Sequence, residues 1–163
     1  MILKLMVAGA AVAGALTTVA PAQAATTPEC DNGNVTASYR GGEGATSHVY
    51  GRIVLKNTSD ETCTVQGYGG LSYVGGGKGK QVGAAADRTP SRTPKVTLAP
   101  GEKVAQQVVE TSTGPYSKKQ CRPMPVDGFR VYVPDETRSQ FIAHPTTGCA
   151  NPAVHLLAHK AFH

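Results

Sequence analysis

The residues of this chain best suited to chemistry are four cysteines, Cys30, Cys63, Cys121 and Cys149, and three histidines spaced four apart, His155, His159 and His163. No two cysteines have the C-x-x-C spacing that zinc or redox sites use. An even cysteine count behind an export signal reads instead as two disulfides. Among the possible connectivities, Cys30 with Cys63 and Cys121 with Cys149 is expected, because each pair encloses adjacent strands and neighbouring elements usually meet in space. On a helix the three histidines would stand about 5–6 Å apart and could share a metal. On a strand that spacing becomes about 13 Å, too far for one ion. Val154–Ala158 reads as a closing strand that carries His155, with His163 at a frayed end, so no metal site is expected.

The remaining candidates are weaker still. Lys78 and Lys80 sit in a glycine-rich tip, but Val74 and Gln81 occupy the positions where a phosphate loop needs Gly and Ser/Thr. Asp60-Glu61 and Asp135-Glu136 are adjacent carboxylates in turns, with nothing to separate their pKa values for acid–base work. His48 reads as strand surface and His144 as a pre-proline turn, and neither has a local partner pattern. There is no G-x-S-x-G elbow and no H-E-x-x-H. No catalytic residue and no cofactor are therefore expected, and the chain reads as a protein that is not an enzyme. Its candidate ligand-binding residues are Lys78 and Lys80 in the glycine tip, and Lys118 and Lys119 in the polar loop that ends at Cys121.

The elements that must carry these residues are strands. In Val49–Leu55, alternate positions are apolar or glycine, the period-two signature of a half-buried strand. Similar short runs occur at Val35–Arg40, Thr62–Gln66, Gly70–Val74, Lys95–Leu98, Lys103–Thr111, Phe129–Val133, Gln140–Ala143 and Ala153–Ala158. Turn formers such as Asn57–Asp60, Ala99-Pro100-Gly101 and Pro134-Asp135 separate them. Many short strands with regular turns predict an all-β, immunoglobulin-like antiparallel β-sandwich of about 7–9 strands. Gly75–Pro94 breaks the rhythm: Gly75–Lys80 reads as a hairpin tip, Gln81–Asp87 as a weak returning edge strand, and Thr89–Pro94 as either loop or disorder.

Met1–Ala24 reads as a cleavable signal peptide: Lys4, then an apolar run from Leu5 to Ala20, then Ala22-Gln23-Ala24. Residues 25–163 form one expected domain with short flexible termini. The formal net charge is +5 and falls by one when Lys4 is removed. That mild basicity suits loose attraction to anionic polymers but is no nucleic-acid footprint. With no cysteine at the cleavage point, no membrane anchor is expected.

Three motifs, in order, carry a family resemblance. They are Leu55-Lys56-Asn57-Thr58 followed by Cys63-Thr64-Val65 and Gly67-Tyr68; Val96–Gly101; and Cys121 and Cys149 bracketing Val131-Tyr132-Val133-Pro134. From Cys30 to about Leu157 the chain resembles the actinobacterial exported family catalogued as domain of unknown function four-two-three-two. The resemblance implies a secreted or wall-associated β-sandwich with two disulfides and no established activity. It departs at Gly69, where the family usually has proline, and in lacking a lipid-anchoring cysteine directly after the signal.

The resulting expectation is a secreted, monomeric, non-catalytic binding module of unknown ligand. Its expected partner is an anionic cell-wall polymer or a secreted protein, not a nucleic acid. The alternative is a peptidase inhibitor that presents Lys118 or Lys119 from a loop made rigid by the adjacent disulfide.

Overall fold

Period-two alternation dominates the chain. The computed structural model describes residues 26–163, and in that stretch the alternation becomes twelve strands and one helical turn. The expected signal at 1–24 lies outside the described residues. One sheet has the order β1 (Val35–Arg40), β3 (His48–Asn57), β9 (Lys103–Thr111), β12 (Leu157–His159), β7 (Asp87–Arg88), with β2 (Gly44–Ala45) paired to β3. The other has the order β11 (Ser139–Cys149), β10 (Pro123–Tyr132), β5 (Gly70–Gly75), β6 (Lys80–Ala85). A short ribbon pairs β4 (Cys63–Val65) with β8 (Val96–Leu98). Pairing within the sheets is antiparallel apart from β12 with β7.

This is the expected all-β sandwich with two disulfides. Strands exceed the expected 7–9 because the two-residue β2 and β7 leave almost no sequence pattern, and because β6, read only as a weak edge strand, runs for six residues. The buried core takes Val35, Ile53, Leu55 and Val108 from the first sheet and Leu71, Tyr73, Phe129 and Val131 from the second. The sandwich is closed on one side by Gln140. Its Oε1 accepts the Ala37 N–H at 2.8 Å and its Nε2 donates to Val35 O at 2.9 Å, so one side chain of edge strand β11 satisfies backbone groups of edge strand β1.

Cys30 bonds to Cys63 and Cys121 to Cys149, as expected. Asn57 ties the first two motifs together in space. It is fully buried, its Nδ2 donates to Glu61 O at 2.7 Å and Leu98 O at 2.9 Å, and its carbonyl accepts the Gly101 N–H. Gly69 has a packing reason: a Cβ there would lie 2.3 Å from Tyr132 O.

Several expectations need correction. β10 and β11 run well beyond Phe129–Val133 and Gln140–Ala143. Pro145 is tolerated because it lies on an edge strand, opposite the point where the register shifts between Val126 and Gly128. The final strand begins only at Leu157, so His155 precedes it. The C-terminus is not frayed. Ala161 and Phe162 are fully buried, and the N–H groups of Lys160, Phe162 and His163 donate to Gln107, Gly67 and Ala105 carbonyls. Burying an aromatic ring there outweighs the fraying tendency of a terminus.

The glycine-rich segment forms the expected hairpin: Gly76, Gly77 and Gly79 take the left-handed conformation that suits a tip without Cβ atoms. Residues 89–94 follow as a tethered loop. Thr89 N–H donates to His159 O, and Ser91 links the Tyr68 hydroxyl to the Ala161 N–H.

Candidate functional site

Alternation along β9 turns Val104, Gln106, Val108 and Glu110 inward, so two polar residues occupy core positions. Glu110 is only 7% exposed. A carboxylate in such a place must have its oxygens satisfied. The Tyr39 hydroxyl donates to Oε1 and the Tyr73 hydroxyl to Oε2, both at 2.5 Å, and His144 Nε2 lies 2.9 Å from Oε2. Four strands from both sheets thus converge on one side chain.

Phe129 organises the surrounding rings. His144 stacks on it at 4.7 Å between centroids, Tyr73 stacks at 5.4 Å, and Tyr39 packs tilted at 5.0 Å. Tyr39 reaches Glu110 only because Gly51 on β3 has no side chain: a Cβ at Gly51 would lie 2.4 Å from the Tyr39 hydroxyl oxygen. Gly51→Ala should therefore displace Tyr39 and cost about 1–3 kcal/mol. Urea unfolding followed by circular dichroism would test this; a variant as stable as the parent would show that Tyr39 can move without penalty.

Burial pushes the Tyr39 hydroxyl above the ordinary tyrosine range, and its hydrogen bond and charge interaction with Glu110 push it further. Burial does the same to Tyr73, with the Glu110 charge second. Both phenols stay protonated and donate. Neither supplies the phenolate that a nucleophile or base would need.

Above this cluster opens a cleft of about 510 Å³. The turn Gly44–Val49 forms one wall, Thr146 and Thr147 another, and Glu110, Thr111 and Ser112 line it further. His48 also lines it, with Nδ1 3.2 Å from Thr111 Oγ1. The two histidines read separately from sequence as strand surface and turn therefore share one cavity.

The residues expected to bind ligand are elsewhere. Lys78 and Lys80 line a separate cleft of about 320 Å³ with Met124 and Val82. Lys118 and Lys119 are exposed on α1 (Lys118–Cys121), whose Ser117 side chain caps the Gln120 N–H. They lie on a helical turn, not in the expected loop. The three C-terminal histidines have separate surroundings: His155 pairs with Asp87 at 2.8 Å, His159 is buried against Gln106, and His163 Nδ1 lies 2.9 Å from Ala161 O. Among the described residues, no group of three or more His, Cys, Asp or Glu is arranged to hold a metal.

Burial, with the Arg88 charge adding to it, lowers the His159 imidazole to about 4, against a partly opposing hydrogen bond at Lys160. The folded state therefore resists protonation relative to an unfolded histidine near 6.5. This contribution to stability is complete above about pH 6.5 and is lost as pH falls towards 4, by roughly 2–3 kcal/mol between pH 7.5 and 4.5. An NMR titration of the ring should give a midpoint below 5; a midpoint above 6 would refute the assignment.

Glu110 was legible in principle. Once Lys103–Thr111 is taken as a strand with Val104 and Val108 inward, Glu110 must point inward too. The partners Tyr39, Tyr73 and His144 carry no comparable signal, since they come from three other strands. No curated protein and no solved structure matches the chain. Residues 30–162 match the model of the family described as Domain of unknown function (DUF4232), and the chain belongs to that family.

Proposed function

We propose that the protein is a secreted, non-catalytic binding module that seats a neutral, hydroxyl-rich ligand in the cleft above Glu110. The observation that carries this reading is the engagement of both carboxylate oxygens of Glu110 by side chains of the protein itself. Tyr39, Tyr73 and His144 hold them, so the acidic group nearest the cleft is a structural anchor and not a free acid or base. The lining offers the hydroxyls of Ser47, Thr111, Ser112 and Thr146 beside the apolar Ala45 and Val49, and no Lys or Arg lines the cavity. Such a lining favours uncharged hydrogen-bonding partners over anions. Two disulfides fit an oxidising extracellular compartment.

The test is an amide chemical-shift titration with a panel of neutral oligosaccharides. Shifts should concentrate at residues 46–49, 111–112 and 146–147, and the recovered ligand should be unchanged. Ser112→Trp, an exposed rim substitution, should block the response. Ligand turnover, or shifts confined to another face, would refute the proposal.

A further inference from the structure

Cross-strand register gathers basic residues on the outward face of the first sheet. Arg40 stands opposite Arg52, and Lys56 opposite Lys103. Residues opposite one another across a ladder share a face, and so do residues four apart on one strand. Ile53 and Leu55, which alternate with them on β3, are fully buried, so these four cations point to solvent, and all are exposed. The row continues through Gln107, which stands opposite Arg52 and whose carbonyl accepts the Lys160 N–H. Arg92, Lys160 and His163 line a groove of about 650 Å³ beside it. His163 also lines a second groove, of about 340 Å³, with Arg52.

Like charges directly opposite each other destabilise a sheet. Nothing here offsets them. Among the described residues the ion pairs are His144–Glu110 and His155–Asp87, neither involving Lys or Arg. The outward positions of β1, β3 and β9 carry no acidic residue. Of the nearby acids, Glu102 accepts the Ala99 N–H, Asp87 is held by His155, and Glu43 lies before β2.

We infer that this face binds a linear phosphodiester polymer, a site separate from the cleft above Glu110. The two cation pairs, Arg40/Arg52 and Lys56/Lys103, lie about 13 Å apart along the strands, so one extended chain can place a phosphate on each. Paired guanidinium groups suit phosphate better than a single point charge does. A base-free polymer fits better than nucleic acid, because the face offers one exposed aromatic, Tyr50, and single-strand binding relies on several stacking rings.

The test measures binding of a synthetic poly(glycerol phosphate) to the whole protein at several salt concentrations. Four engaged cations predict a log–log salt slope of about −3, hence about 60-fold weaker binding at 200 mM than at 50 mM salt. The variant Arg40→Gln/Arg52→Gln/Lys56→Gln/Lys103→Gln should bind at least about 10-fold more weakly at low salt, with a slope near zero. The charge-matched variant Lys78→Gln/Lys80→Gln/Lys118→Gln/Lys119→Gln should stay within about threefold of the parent. Circular dichroism melts confirm that both variants fold. Equal losses in the two variants would reduce the effect to net charge and overturn the assignment. So would undiminished binding by the first variant, equal binding of polyglutamate, or tighter binding of oligothymidylate.

Discussion

Glu110→Ala should lower folding stability by about 3–5 kcal/mol, because it strands the Tyr39 and Tyr73 hydroxyls without their acceptor at about 1–3 kcal/mol each and also removes a charged partner of His144. A domain of this size has about 5–15 kcal/mol in total, so the variant approaches the limit of folding. The asymmetry of hydrogen-bond energetics supplies a sharper arm. Replacing all the buried partners by apolar groups, in Glu110→Leu/Tyr39→Phe/Tyr73→Phe, should recover most of the loss, since no buried donor is then left unpaired. His144 is about a quarter exposed on its side chain, 27%, and can turn to water. The chain contains no tryptophan, so urea unfolding is best followed by circular dichroism and tyrosine emission. An alanine variant within 1 kcal/mol of the parent would mean that water replaces Glu110 at no cost, and the anchor role assigned to it would fall.

Loss of the Cys121–Cys149 bridge should cost about 3.6 kcal/mol, from the unfolded-chain entropy released when a loop of this length is opened. Cys30–Cys63 should cost nearly the same, because loop entropy depends only logarithmically on sequence separation, 33 residues against 28. Backbone hydrogen bonds support both junctions. Cys30 N–H donates to Thr64 O and Thr64 N–H to Pro28 O; Ala150 N–H donates to Arg122 O and Asn151 N–H to Cys121 O. Cys121 and Cys149 join the open end of the β10–β11 hairpin, where Pro123 stands opposite Cys149. Double alanine variants at each pair, unfolded in urea, provide the measurement. A loss below about 1 kcal/mol for either would show that the reduced chain is already constrained there.

These two expectations rest on different kinds of information. The cysteine pairing was legible because it depends on counts and on the tendency of neighbouring strands to pair. Strand positions were legible for the same local reason: alternation in Val35–Arg40 and Lys103–Thr111 predicts those strands with their observed ends. Local patterns failed where tertiary contacts decide. His144 follows no motif and precedes a proline, yet an edge-strand irregularity aims it at Glu110. Phe162 looks like a loose end, yet the interior holds it.

By itself, then, the sequence determined the fold class, the disulfide framework, most strand positions and the family, since each follows from local periodicity, residue type or spacing along the chain. Only the tertiary structure decided the functional candidates. Tyr39, Tyr73, Glu110 and His144 become one cluster, and Arg40, Arg52, Lys56 and Lys103 one face, through strand order and register. Those depend on which residues of distant strands stand opposite one another, a property that no single segment of the chain contains.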